Sequence, residues 1–163
     1  MNRYDKGNIV IHHTSKSNEA VKCSFVYNGF VWSCDSYFER DVLKFLIIVC
    51  DVHPALITRA IPIVIKPKTL FRPIVYTPDF TIWSEPKKAF LHLEIKGKVY
   101  DDYPFRLKFL EYLKPNEFSL LRIITRKSVS ISGLQTWTLQ DLRYEISKNF
   151  PHNPNGVSNH VVC

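Results

Sequence analysis

The stretch LHLEIKG (residues 91–97) constrains the fold of this chain more than any other segment. Successive side chains of an extended strand point to opposite faces. One face therefore carries Leu91, Leu93 and Ile95, and the other carries His92, Glu94 and Lys96. The apolar face predicts a strand packed on a core, and Gly97 predicts its end. The polar face either meets water or forms a site that uses an acid and an amine two residues apart.

Length and charge limit the kind of protein this is. With 163 residues, 45% of them hydrophobic, the chain is predicted to form one domain over residues 1–150, followed by a flexible tail over 151–163. No apolar run approaches the ~20 residues that span a bilayer, and the first residues lack a hydrophobic signal core. We therefore expect no membrane association and a cytoplasmic location. The net charge of +7 favours a polyanionic partner such as nucleic acid.

Periodicity and turn residues predict an α/β fold in which helices flank a central mixed β-sheet. Around Asn28-Gly29 the sequence alternates on both sides of a dipeptide that suits a two-residue turn, which predicts an N-terminal β-hairpin. The predicted elements are a hairpin over residues 21–33, a helix over 35–49, strands over 60–67, 72–83 and 88–97, a helix over 105–113, a strand over 118–125, and a last helix from Thr138 to Phe150.

The first two predicted helices each raise a specific expectation. In the first, Glu39 follows Ser36 by three residues, which predicts a capping box: the serine caps the helix and the glutamate returns a hydrogen bond. In the second, an apolar stripe is expected to face the core. That stripe comprises Phe105, Phe109, Leu110 and Leu113.

Asp79 follows Pro78 in the strand predicted before Glu94. Proline cannot donate to a sheet ladder, so we expect the strand to bend there and to turn Asp79 out of the regular pairing. If the two strands are neighbours, Asp79, Glu94 and Lys96 converge. Two carboxylates and the backbone carbonyl of Ile95 are ligands that Mg²⁺ prefers, and Mn²⁺ is expected to substitute. Such a site suits phosphodiester hydrolysis, with Lys96 orienting a water or stabilising the transition state.

This Pro-Asp followed by Glu-x-Lys resembles the signature of the PD-(D/E)xK nuclease superfamily. The segments SYFERDVL, AIPIVIKP, YTPDF and EIKG occur in the order found in phage endonuclease I type enzymes, which resolve Holliday junctions. The segment YNGFVWSCDSYFE is similar to the start of a related phage nuclease-like family, and SYFERD with the strand after it is similar to the endonuclease subunit that cuts transposon ends. The resemblance covers about residues 27–127 and implies a restriction-endonuclease-like core.

The resemblance also implies roles for individual residues. Asp79 and Glu94 bind the metal with the Ile95 carbonyl, Lys96 assists the water, and Glu39 reaches in from the first helix as a further ligand. Glu39 therefore has two equally weighted interpretations, metal ligand and capping-box partner. The alternative for Asp79 is an ordinary acid in a turn. The alternative for Glu94 and Lys96 is a pair of solvent-exposed charges on a strand.

Basic residues near the predicted site are candidates for contacts with DNA phosphates. Each alone is more typical of a solvated charge, so only the group indicates binding. We expect Tyr103 to pack against the second helix rather than to stack on a base. The candidates are Lys98, Arg106, Lys108, Arg126 and Lys127, with His92 on the polar strand face as a further residue near a phosphate.

These expectations lead to three alternative functions. The first is a Mg²⁺-dependent DNA endonuclease that leaves a 5′-phosphate and a 3′-hydroxyl, with branched DNA such as a Holliday junction as the preferred substrate. A transposon-end-cleaving subunit and a nicking enzyme belong to the same class. The second is a non-catalytic nucleic-acid-binding module of the same fold, and the third is an assembly or regulatory domain whose polar strand faces water. A homodimer suits the cutting of two strands of a symmetric junction.

Overall fold

The computed structural model describes residues 23–68, 72–84, 87–97, 103–131 and 133–149. Lys98, Phe150, the first two residues of the predicted hairpin and the predicted tail lie outside these ranges. Within them, no helix is long and apolar enough to cross a membrane. The elements in chain order are β1 (Cys23–Tyr27), β2 (Phe30–Cys34), α1 (Tyr37–Ile48), a 3₁₀ helix (Pro54–Leu56), β3 (Ile57–Arg59), β4 (Ile63–Lys66), β5 (Ile74–Tyr76), β6 (Phe80–Ser84), β7 (Ala89–Ile95), α2 (Tyr103–Leu113), α3 (Pro115–Ser119), β8 (Leu121–Ile124), β9 (Ser130–Ile131), β10 (Leu134–Gln135) and α4 (Leu139–Asn149).

The predicted hairpin leads into α1. Strands β1 and β2 pair antiparallel around Asn28 and Gly29, whose φ angles of 47° and 81° match a two-residue turn with the twist of the strands. Ser36 is the N-cap of α1, because its side chain accepts a hydrogen bond from the Glu39 backbone amide. Local sequence therefore determines both the hairpin turn and the first residue of α1.

Strands β3, β6, β7 and β8 form the central sheet, in that order. Strand β6 runs antiparallel to both β3 and β7, whereas β7 runs parallel to β8. A parallel pair needs a crossover connection, and α2 with α3 supplies it. The α/β architecture, with a mixed sheet, flanking helices and an N-terminal hairpin, is thus confirmed.

Both faces of the sheet are buried. On one face Leu91 and Leu93 pack into a core that also includes α1, the hairpin and α4. The other face lies under a second layer, in which β4, β5 and α2 contribute residues such as Tyr76 and Leu110. Glu94 points into this second side and is 5% exposed. The alternative that the polar strand face meets water is therefore wrong for Glu94.

The predicted strand over 72–83 is two strands in different sheets. β5 pairs with β4, whereas β6 pairs with β3 and β7. The chain leaves one sheet and enters the other across residues 77–79, which include Pro78. The predicted bend at Pro78 is confirmed, and it is larger than expected because proline has no N–H with which to continue either ladder.

The core stripe predicted for α2 is wrong in three of its four positions. Tyr103, Leu107 and Leu110 are the buried residues, whereas Phe105, Phe109 and Leu113 are exposed. Both sets recur at helical spacing, so periodicity alone does not select between them. The buried set is favoured by a polar contact, since the Tyr103 hydroxyl lies 3.4 Å from the hydroxyl of buried Tyr76. The elements β3, α3, β9 and β10 are too short for periodicity to predict them.

Candidate metal and catalytic site

Asp79 lies one residue beyond the last pair of the β6–β7 ladder, in which Phe80 is opposite Leu93. The next step of that register sets Asp79 opposite Glu94, and directly opposed residues of antiparallel strands share a face. Outside the ladder, Asp79 Oδ2 accepts a hydrogen bond from the Ile95 backbone amide at 2.6 Å. The aspartate is thereby held at the end of β7, beside the acid predicted to be its partner.

The electrostatic environment of Asp79 is that of a crowded carboxylate. Burial is the largest cause that raises the pKa of Asp79 to about 7, and the negative charge of Glu94 is the second. The hydrogen bond from Ile95 and the positive charge of Lys96 lower this pKa, while Glu39 raises it further. Two close carboxylates repel each other when both are ionised, so a bound cation would relieve the repulsion.

The two oxygens of Glu94 have different surroundings. Oε1 is paired with Lys96 Nζ, whereas Oε2 is buried and has no hydrogen-bond partner of normal geometry among the described residues, although the Tyr76 hydroxyl lies near this carboxylate. A buried acceptor without a partner costs on the order of 1–3 kcal/mol. An unpaired carboxylate oxygen beside a second carboxylate matches the hard oxygen ligands that Mg²⁺ requires. The residues therefore fit a divalent cation held by Asp79, Glu94 and the carbonyl of Ile95.

Two tyrosines of the second layer support the acid and the amine. Lys96 Nζ lies 4.6 Å from the centre of the Tyr103 ring, within the range of a cation–π interaction. Burial, and next the charge of Glu94, raise the pKa of both Tyr76 and Tyr103, so both hydroxyls keep their protons near neutral pH. The expected packing role of Tyr103 is confirmed. Sequence reasoning missed Tyr76, although it begins the YTPD segment that contains Asp79.

Glu39 forms the capping box. Its Oε2 accepts a hydrogen bond from the Asp35 backbone amide at 2.8 Å, and its Oε1 accepts one from the Ser36 hydroxyl at 3.0 Å. Arg59 Nη2 lies 3.6 Å from the same Oε2. The capping-box interpretation is confirmed, and the ligand role stays a prediction. No group of three or more His, Cys, Asp or Glu side chains within the described ranges is arranged to hold a metal.

Arg59 is a further residue of this site that sequence reasoning missed. It lies opposite Phe80 in the β3–β6 pair, next to the position of Asp79, and its Nε is buried with no hydrogen-bond partner in the part of the chain that the structure describes. Its guanidinium also pairs with Asp35. A single arginine in a three-residue strand carries no sequence signal, so only the tertiary structure could find it.

His92 does not lie where a phosphate contact requires it. The side chain is 5% exposed, and Nδ1 lies 3.1 Å from the Thr81 hydroxyl. Burial lowers the pKa of His92, which favours the neutral imidazole. The position of His92 argues against the predicted role near a phosphate and indicates a buried structural histidine instead.

Two of the predicted basic residues follow β8 at the edge where β7 ends. The strands are parallel, and the Lys96 amide donates to the Ile124 carbonyl at 2.9 Å, so their C-terminal ends lie side by side. Arg126 and Lys127 come next in the chain and are exposed. The Arg126 guanidinium lies 4.6 Å from the centre of the Phe38 ring, which places it over the start of α1.

The other two described basic candidates lie on α2. Arg106 and Lys108 are exposed, and the charge of Arg106 opposes the rise in the pKa of Tyr103, so this guanidinium is near the same end of the site. Lys98 lies outside the described residues. The described basic candidates therefore lie on two elements, the segment after β8 and helix α2.

Comparison of the chain with protein-family models, curated proteins and solved structures finds no match in any of the three. Interpretation of the site consequently depends on its own geometry and on the motifs of the sequence.

Proposed function

We propose that the chain has a restriction-endonuclease-like core and is a Mg²⁺-dependent DNA endonuclease that acts on branched DNA such as a Holliday junction. One observation carries the proposal. The Ile95 amide holds Asp79 at the end of β7, beside Glu94 with its unpaired buried oxygen and beside the Lys96 ammonium. Binding alone does not require two carboxylates that repel each other in a buried place, whereas phosphodiester hydrolysis uses such a pair.

The reaction is hydrolysis of one phosphodiester bond. A water oxygen bonds to phosphorus, the P–O3′ bond breaks, the water loses one proton to solvent, and O3′ takes up a proton to become a hydroxyl. Asp79, Glu94 and the Ile95 carbonyl would hold Mg²⁺. When bound, the ion supplies positive charge to the phosphate and makes a water more acidic.

The remaining residues position the DNA and the attacking water and stabilise the transition state. Lys96 Nζ is fixed between Glu94 Oε1 and the Tyr103 ring, so its N–H groups can donate to the attacking water or to a phosphoryl oxygen in the transition state. Arg126 and Lys127 would bind phosphates on the β8 side. A homodimer of such subunits would cut a symmetric junction on two strands.

The test measures cleavage of three labelled substrates: a four-way junction, a linear duplex and single-stranded DNA, each with Mg²⁺, Mn²⁺ or EDTA. We expect metal-dependent cutting by the wild type and loss of cutting in Asp79→Asn and Lys96→Ala. Lys66→Ala, which changes an exposed lysine of β4, is the matched control and should cut normally. Calorimetric titration with Mn²⁺ should show binding to the wild type and to Lys96→Ala, but not to Asp79→Asn.

Other results would contradict the enzyme or select among its alternatives. DNA binding without cutting under any metal condition would contradict the enzyme and leave the non-catalytic binding module. The absence of DNA binding and of metal binding would contradict both the enzyme and the non-catalytic binding module. Preference for the junction over the duplex would support a resolvase, and equal cutting of the junction and the duplex would favour another endonuclease of the same class instead.

A further inference from the structure

Helix α2 exposes an aromatic surface that the proposed cleavage site does not use. We define the outer face of α2 as Phe105, Lys108, Phe109 and Tyr112. The three rings are 67%, 54% and 85% exposed, respectively. Aromatic side chains grouped in this way on a surface usually mark a binding site.

The geometry of the helix explains why these rings cannot turn inward. At 3.6 residues per turn the buried set of Tyr103, Leu107 and Leu110 occupies one side, and the outer face lies opposite. From Phe105 to Tyr112 the helix rises roughly 10 Å, which is the length of about three stacked bases. The buried side is already satisfied by the second layer, so the outer face is available to a partner.

The charge of the outer face favours one kind of partner. Lys108 lies between the aromatic residues, exposed Arg106 flanks them on one side and exposed Glu111 on the other, and none of the four members of the face is acidic. Aromatic rings with interspersed cations suit nucleic-acid strands, because every base has a face that stacks and every nucleotide carries a phosphate. A second copy of this chain on the same face would bring Lys108 towards its own equivalent, which like-charge repulsion opposes.

The outer face begins at the same end of α2 as the candidate site. The first residue of α2 is Tyr103, whose ring lies 4.6 Å from the Lys96 ammonium, and Phe105 follows within one helical turn on the opposite side of the helix. We propose that the outer face of α2 binds unpaired bases of a DNA strand that leaves the cleavage site, so that the protein selects DNA containing single-stranded or opened segments. This inference rests on the proposed function for the identity of the nucleic acid, and it adds a substrate feature that the metal site does not specify.

The experiment measures fluorescence anisotropy of a labelled oligothymidine of about 12 nucleotides and of a duplex of the same length, in EDTA so that no cutting occurs. We expect Phe105→Ala, Phe109→Ala and Tyr112→Ala each to weaken binding of the single strand by roughly tenfold and to leave duplex binding nearly unchanged. The exposure of these rings means that their removal should not unfold the protein.

Two controls separate this inference from the proposed function. Tyr144→Ala removes a 68% exposed ring of α4 with a lysine over it, and it should leave single-strand binding unchanged. Asp79→Asn should bind the single strand normally although it does not cut. Equal weakening of duplex and single strand, or no weakening, would overturn the α2 proposal while leaving cleavage intact. A change from dimer to monomer in the α2 variants, measured by light scattering, would also overturn it and would identify an interface between copies.

Discussion

The two faces of β7 are both buried, but against different partners. Leu91 and Leu93 pack with α1, α4 and the hairpin in an apolar core. Glu94, on the opposite face, lies under β5 and α2, where two tyrosines lie among aliphatic side chains and one carboxylate oxygen has no hydrogen-bond partner within the described residues. One strand thus stabilises the fold through alternate residues and keeps a costly polar cluster on the others. Such a cluster is expected where chemistry requires it.

The largest expected effect comes from the polar face. Glu94→Gln preserves shape but removes the charge, so we expect cleavage to fall roughly a thousandfold, or about 4 kcal/mol of transition-state stabilisation. Folding should not suffer, because the variant also removes repulsion with Asp79. Single-turnover cleavage and urea denaturation measure the two quantities. A large loss of stability together with normal cleavage would show that Glu94 serves the fold rather than the reaction.

The second effect belongs to the apolar face. Leu93 is fully buried, so Leu93→Ala should lower the free energy of unfolding by about 2–5 kcal/mol through lost burial and the cavity left behind. Val64→Ala, at an exposed position of β4, is the control and should change it by less than about 0.5 kcal/mol. Urea denaturation measures both. Below the unfolding transition, the remaining folded Leu93→Ala should still bind Mn²⁺.

A third prediction concerns pH in metal-free protein. The pKa of Asp79 is raised from 3.8 to about 7 on folding, so the native state holds the proton more tightly than the unfolded chain does. The stability that this group contributes is fully present below about pH 4 and is lost as the pH rises through about 7. Urea denaturation in EDTA should therefore show wild type losing stability relative to Asp79→Asn over this range.

Metal provides the control for this pH dependence. Mg²⁺ at pH 7.5 should stabilise the wild type and not Asp79→Asn, because only the wild type retains both carboxylates. Parallel stability curves of the two proteins between pH 4.5 and 7.5 would contradict the crowding inferred at the polar face.

The smallest expected effect tests the support that Tyr103 gives to Lys96. Tyr103→Phe keeps the ring and should reduce cleavage only a few-fold, whereas Tyr103→Leu removes the cation–π contact and should reduce it by roughly tenfold. Initial rates at saturating DNA measure the difference. Equal rates of the two variants would show that the ring does not position the ammonium.

Local sequence predicted the elements whose signals are short-range. Asn28 and Gly29 form the hairpin turn, Ser36 and Glu39 form the capping box, and Pro78 ends the strand ladder, because each depends on the backbone within a few residues. The strand with Glu94 was predicted from its alternation. The candidate acids were predicted together because a Pro-Asp in one predicted strand is followed by Glu-x-Lys in the next, and the two acids converge if those strands are neighbours.

Other features depend on contacts that sequence spacing does not contain. Two apolar stripes of α2 have equal periodicity, and only the second layer selects the one with Tyr103. Burial of His92 follows from the same layer, and Arg59 reaches the site from a strand too short to give a signal. The sequence by itself determined the strand that contains Glu94, the bend at Pro78 and the spacing of Glu94 and Lys96, because each depends on backbone chemistry within a few residues. Tertiary structure decided which polar groups are removed from water, because burial depends on packing between distant segments.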